Sequence, residues 1–242
     1  MAFKLFDYQS SGKGVSKTAP QKKPFFKYWE IFGRKFWKLI ELNMLYVLFC
    51  IPIITFGPAT AALTHVMRKF ILEQPCFVFD EFFTAFKKNF KQSVFIGIVD
   101  VIMIVSVWIA CFQFLMNESL PDGSLVFICI MICCATLVFI MHFYIYLEIV
   151  ALNLSIGSIL KNAVFLVFLG VKRNFIALII NLVIISLIVL FLPFSVFAVI
   201  FLPLSLMCFT TTFICYPVIQ KYIVNPYYEE PVSYTHLTLP TT

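Results

Sequence analysis

"SVFIGIVDVIMIVSVWIACFQFLM" fills residues 93–116, with one carboxylate, Asp100, and no base. A helix needs about 20 predominantly apolar residues to cross a hydrocarbon core about 30 Å thick. This run is long enough for one crossing. The next segment, "NESLPDGS" (117–124), is a polar turn with two acids and no base, and a second apolar run fills residues 124–151. The two runs read as a helical hairpin in lipid. A third apolar stretch, 175–219, has the length for two spans, and Pro193 and Pro203 offer places to turn. None of these runs alternates like a barrel strand. Backbone polar groups in hydrocarbon must bond within the chain, which leaves helices.

Composition agrees. The 242 residues are 62% hydrophobic and 12% charged, whereas a soluble domain carries roughly 25% charge. No soluble core hides so much apolar surface. The formal net charge of +6 reflects basic clusters at the ends of apolar runs and not a nucleic-acid-binding face, because Lys and Arg are absent from residues 92–160 and again from 174–220. Of the cysteines, Cys50, Cys111, Cys129, Cys133, Cys134, Cys208 and Cys215 lie in apolar runs, and Cys76 lies in a connector. Without a CxxC pair they read as small packing residues, and no metal or other cofactor is expected. The first 35 residues are polar and Lys-rich, without the apolar core and cleavage site of a signal peptide. Residues 1–24 are expected to be a mobile basic arm. The following "FFKYWEIFGRKFW" (25–37) mixes aromatics with bases, as interfacial anchors do. Contact with anionic lipid and a simple orienting role both fit this region.

Basic residues mark the cytoplasmic side of a span. The anchors are Arg34, Lys35 and Lys38, then Arg68 and Lys69, then Lys87, Lys88 and Lys91, then Lys161, Lys172 and Arg173, and finally Lys221. Placing all of them inside gives an all-α polytopic bundle of three helical hairpins, about 36–70, 93–151 and 175–219, within one membrane domain of residues 25–230. That makes about six membrane segments, with the N-terminus inside. A five-span alternative reads the first hairpin as a single span and puts several of these bases on the wrong side. Ahead of the second hairpin, Phe79, Phe82, Phe83, Phe86 and Phe90 share one helical face, with Asp80 placed to cap the start. Residues 79–91 therefore read as an amphipathic interfacial helix.

"FTAFKKNFKQSVFIGIV" (83–99) aligns with "FLGVKRNFIALIINLV" (168–183). Repeated hairpins about a pseudo-axis would give such a likeness. So would the common need for bases and aromatics where a span enters the membrane, and both readings stand.

The first hairpin turns at "FGPATAAL" (56–63), directly after "LYVLFCIPIITF". Gly57 lies too few residues from Arg68 for a full crossing, about 17 Å of rise. The hairpin is thus expected to be short or re-entrant, with its tip at Pro52–Pro58. Gly57 permits the turn, Thr55 can cap, and Pro58 suits the first helical turn. Gly57, Ala61 and Ala62 offer small surfaces for close packing.

Ionisable residues inside spans are costly and mark either function or interhelical bonding. Asp100 lies about 10 Å up its span, and His142 lies about 13 Å up the neighbouring descending one. The two can meet, and an Asp–His pair could relay protons or bind a polar ligand. With Asn43, Asn181 and Glu148 they outline a candidate polar layer in the cytoplasmic half. His65 and Glu41 are weaker candidates near the inner interface.

The tail "PVSYTHLTLPTT" (231–242) resembles the translation of an adaptor used in preparing sequencing libraries. It is expected to be foreign to the protein, so His236 is not a candidate ligand.

"FWKLIELNMLYVLFCIPIITFGPATAAL" (36–63) followed by "FFTAFKKNFKQS" (82–93) resembles the YesL-like family of bacterial membrane proteins, and "GKGVSKTAP" (12–20) is similar to a subgroup of it. The most specific parts are Leu42, Asn43, Pro52, residues 55–63 and residues 86–90. The resemblance implies the cytoplasmic membrane of a bacterium, mainly Gram-positive. It also implies a gene setting beside ATP-driven sugar importers. The family's biochemical role is not established, so it carries over no catalytic or ligand residues. HExxH, GxSxG and phosphate-binding Gly loops are absent from the sequence, which gives little support to an enzyme. The expected role is an accessory or regulatory component of carbohydrate uptake, with the lipid bilayer and the subunits of an ATP-driven sugar importer as expected partners. The alternative is a small stand-alone transporter, and an intramembrane enzyme comes third.

Overall fold

Each long apolar run is helical in the computed structural model, which describes residues 23–116 and 124–226. The order is α1 (Pro24–Cys50), a short 3-10 turn (Ile53–Thr55), α2 (Phe56–Ile71), α3 (Val78–Met116), α4 (Ser124–Ala151), α5 (Ile156–Leu169), α6 (Val171–Leu190), α7 (Ser195–Phe201) and α8 (Pro203–Ile219), continued by a π turn at Gln220–Val224. Most of the expected basic arm, the 117–123 turn and the adaptor-like tail lie outside the described residues.

The fold is all-α. Among the described residues four stretches are long and apolar enough to cross a membrane: Val78–Gln113, Leu125–Ala151, Val171–Leu190 and Pro203–Val224. Their apolar side chains face outward rather than into a core. Ile102, Ile104, Trp108 and Phe112 on α3, and Leu125, Phe127 and Ile130 on α4, are all exposed. Such a surface is stable against hydrocarbon and not against water, so the chain reads as a membrane protein.

Residues 35–242 form one contact unit and residues 1–34 another. The described part of the smaller unit opens α1, where the Phe25, Phe26 and Trp29 rings meet edge to face. In the larger unit α2 is central, packed by α3, α4 and α8. Its small and apolar residues Ala59, Ala61, Ala62, Val66, Met67 and Phe70 are all buried. A core cluster gathers Tyr144, Leu147 and Ile149 of α4 with Ile159, Ala163 and Leu166 of α5 and Cys215, Tyr216, Val218 and Ile219 of α8. The α4 helix is thus lipid-like in its first half and core-forming in its second.

Two expectations change. Residues 79–91 are not a separate interfacial helix but the first part of the 39-residue α3. No Pro or Gly interrupts Val78 to Ser93, and Asn89 and Ser93 bond back to the carbonyls of Ala85 and Asn89, at 3.0 and 2.6 Å, inside the helix. The Phe stripe is consequently shared. Phe82 is buried, and Phe79, Phe83 and Phe90 are exposed. Phe49, at the end of α1, sits edge-on to Phe82, Phe83 and Phe86 with centroids 5.2–5.6 Å away. Asp80 lies in the first turn with Glu81 rather than at the cap, where both favour the positive end of the helix dipole.

The α2–α3 connector closes tightly. Glu73 has φ 55°, in the left-handed region. Its N–H reaches Phe70 O, and the Gln74 N–H reaches Lys69 O, both within 3.1 Å. This is the Schellman closure usually built on Gly, followed here by Pro75. All eight cysteines are free thiols.

Candidate functional site

Helical spacing puts His142 and Tyr146 one turn apart on α4, facing Asp100 of α3. Asp100 is buried. The His142 Nε2 is in contact with one carboxylate oxygen, and the Tyr146 hydroxyl donates to the other at 2.6 Å. On the far side of the ring, His142 Nδ1 lies 2.6 Å from Val138 O. A carbonyl only accepts, so Nδ1 carries a hydrogen. One proton between Nε2 and the carboxylate, on either group, would leave the pair neutral overall, which lowers the cost of burying it.

The other members of the expected polar layer each have their own partner. Glu148 is fully buried; one oxygen accepts from Asn162 Nδ2 at 3.2 Å, and the other has no partner among the described residues. Asn181 donates to the Thr211 hydroxyl at 2.8 Å. Asn43 serves the break between α7 and α8. Its amide nitrogen donates to Val199 O and Ile200 O, each at 2.8 Å, and its oxygen accepts from Ser205 N at 2.7 Å. Those carbonyls and that N–H are the groups a broken helix leaves unpaired. No direct bond between described residues links Asn43, Asn181 or Glu148 to Asp100 and His142, so the candidates are separate contacts and not one network.

The basic anchors divide as well. Lys87, Lys88, Lys91, Lys172 and Arg173 are exposed. Arg68 and Lys69 are half-buried and engaged internally. Arg68 donates to the Tyr216 hydroxyl at 3.2 Å and lies over its ring. Lys69 pairs with Glu81 at 2.5 Å, whose second oxygen lies 3.2 Å from His65 Nε2. Their alternation with apolar residues gave no sign of these partners, which come from α3 and α8.

At the tip of the first hairpin, Thr55 does not cap α2. Its hydroxyl donates to Phe49 O and Pro52 O, at 2.5 and 2.6 Å, and so ties the end of α1. Gly57 lies inside α2 instead of at the turn, and what requires it is proximity. A Cβ there would lie 2.8 Å from the carbonyl carbon of Ser93 and 2.9 Å from Gly97 Cα. Pro58 falls in the first turn of α2. Ile51, Ile53 and Ile54 project at the tip and are strongly exposed, as an apolar tip immersed in lipid would be.

Sequence reading missed Tyr144, Tyr146, Asn162, Asn174 and Thr211. Tyr144 donates to Asn174 Oδ1, and Asn174 Nδ2 donates to Val167 O at 2.9 Å. The KRNF repeat contained the signal for Asn174, but attention fell on its bases. Among the described residues no group of three His, Cys, Asp or Glu side chains could hold a metal ion. One cavity of about 430 Å³ is lined by α6 and α8 around Lys172, Arg173 and Lys221. Another, of about 460 Å³, is apolar and lies among α6, α7 and α8. Neither is lined by Asp100, His142 or Glu148.

Residues 39–111 match the family model described as protein of unknown function, DUF624, a domain that YesL-like proteins carry. The match spans less than a third of the chain and takes in α1 from Leu39, the tip, α2 and most of α3. No curated protein and no solved structure matches the chain.

Proposed function

We propose that the chain is an accessory or regulatory membrane subunit associated with carbohydrate uptake, and not an enzyme. In this reading it sits in the bacterial cytoplasmic membrane with its N-terminus inside. The observation that carries the accessory reading is the closure of the Asp100–His142–Tyr146 cluster. His142 Nε2 touches one Asp100 oxygen, Tyr146 donates to the other, and His142 Nδ1 bonds Val138 O, so the three side chains are turned on one another, and the two cavities lie elsewhere. Polar side chains that satisfy one another between helices fix packing, whereas a transport site keeps capacity for its cargo. The link to carbohydrate uptake rests on the YesL-like resemblance, supported by the DUF624 match.

The test is co-purification of the full chain with importer subunits from its native membrane, beside transport by the chain alone in vesicles. Importer subunits retained, with no sugar uptake by the isolated chain, is the expected outcome. Sugar uptake by the isolated chain, abolished by Asp100→Asn, would overturn it.

A stand-alone transporter is the second reading, and one observation favours it. The buried Glu148 keeps one oxygen unpartnered among the described residues, which a proton or cargo group could engage. The three-hairpin topology belongs to the same proposal, with the first hairpin re-entrant from the inside. A reporter fused after Lys69 should report a cytoplasmic position; an external signal there would sink this topology.

A further inference from the structure

We propose that the cavity between the start of α6 and the end of α8 binds the phosphate group of an anionic lipid. Lys172 and Arg173 enter it from the first turn of α6, and Lys221 and Tyr222 enter it from the π turn after α8. Three cations share one concave surface, and none has a carboxylate partner among the described residues. Lys221 Nζ lies 5.0 Å from the Tyr222 ring centroid, a contact that leaves its charge without a counter-ion. Like charges on one concave surface repel one another, and an anion bound among them relieves that repulsion.

The cations are held on a fixed frame. Asn174 sits behind them, bonded to Val167 O across the α5–α6 junction and accepting from Tyr144. Gly170 at that junction has no room for a side chain, since a Cβ would stand 3.0 Å from Leu166 O and 3.2 Å from Asn174 Oδ1. On the opposite wall Pro217 interrupts α8 from within, and the helix then widens into five residues of π turn. Such widenings recur at functional positions because they redirect side chains out of helical register. Here the redirected residues include Lys221 and Tyr222.

The apolar rim selects a lipid over a soluble anion. Leu169 and Val171 border the cavity, and Phe165 and Phe168 continue the face along α5; all four are exposed. A phosphodiester in the cavity leaves its acyl chains along this face. Lysine and arginine near an anionic membrane surface each contribute about fivefold in affinity. This inference needs the chain to be in a membrane, and it does not depend on any role in uptake.

The experiment uses the purified full chain in a neutral detergent. Its thermal unfolding is followed against added phosphatidylglycerol, phosphatidylcholine or inorganic phosphate, with lipid adducts counted by native mass spectrometry. Phosphatidylglycerol should raise the melting temperature and persist as an adduct, and phosphatidylcholine should do neither. The combined Lys172→Gln, Arg173→Gln, Lys221→Gln variant should weaken that binding about a hundredfold, at about fivefold per cation. Lys87→Gln, Lys88→Gln, Lys91→Gln, which removes three exposed bases elsewhere, should leave it unchanged. If the triple variant in the cavity does not fold, Lys221→Gln alone, with an expected loss of about fivefold, decides the matter. Undiminished phosphatidylglycerol binding in the cavity variants would overturn the proposal, as would an equal response to phosphatidylcholine. An equal response to inorganic phosphate would assign the cavity to a soluble anion and overturn the lipid.

Discussion

Gly57 of α2 and Gly97 of α3 meet backbone to backbone: a Cβ on Gly97 would stand 2.5 Å from Gly57 N and 2.6 Å from Gly57 Cα. Contact this close lets the two helices touch along their axes, which is how small residues hold helices together in lipid. It joins the start of α2 to the point where α3 takes up its apolar course.

Gly97→Val is therefore expected to force α2 and α3 apart and to destabilise the chain by about 1–3 kcal/mol. Gly157→Ala, at a position with nothing within 4 Å of the added carbon, is expected to be neutral or slightly stabilising. Thermal unfolding in detergent compares the two. Equal melting temperatures would remove the close contact from the account of the fold.

Asn43→Leu is expected to leave Val199 O, Ile200 O and Ser205 N unpaired at the α7–α8 break. An unsatisfied buried backbone group costs about 1–3 kcal/mol, so the loss should exceed that of Asn181→Leu, which releases a single hydroxyl partner. Proteolysis near residues 199–205 should quicken in the Asn43 variant, and an unchanged rate there would contradict the assigned contacts.

Asp100→Leu and His142→Leu should be non-additive. Each alone strands the other member of the pair, and the double variant strands neither. A coupling of about 1–2 kcal/mol in a double-mutant cycle is expected. Additive losses would show that the two side chains do not act as a pair.

Cys76 lies in the α2–α3 connector, outside the spans, and is buried. Burial pushes its thiol above the usual cysteine range. At a given pH less of it is thiolate, so alkylation should be slow at pH 7 and should quicken as pH rises. In a chain with Cys76 as its sole cysteine, maleimide kinetics at pH 7 and pH 9 measure this; a pH-independent rate would refute it.

How much of this was legible in the sequence depends on the kind of interaction. Span-length apolar runs declare themselves, because lipid reads average hydropathy along a helix and not a specific partner. Helical rise alone places Asp100 and His142 at similar depth on neighbouring spans. Tyr146, one turn from His142, follows from the same spacing and could have been included. The partners of Asn43 could not have been, since they are backbone groups more than 150 positions away. The direction of the Thr55 hydrogen bond was equally hidden. A hydroxyl beside a helix start can accept from that helix or donate to the preceding one, and only the placement of Phe49 O decides. Residues 79–91 carried a true amphipathic pattern, but such a pattern does not say where the helix ends.

The length of α3 has a mechanical consequence. Its 39 residues make an unbroken rod about 58 Å long, nearly twice the thickness of a hydrocarbon core. One end carries Glu81, clasped by Lys69 and His65, while the other ends at Met116. A rod without a hinge transmits a tilt whole, so a displacement of Glu81 would be reversed at Met116 about any pivot between them. The path through α6, α7 and α8 is jointed at Phe191 and Leu202 and lacks that stiffness.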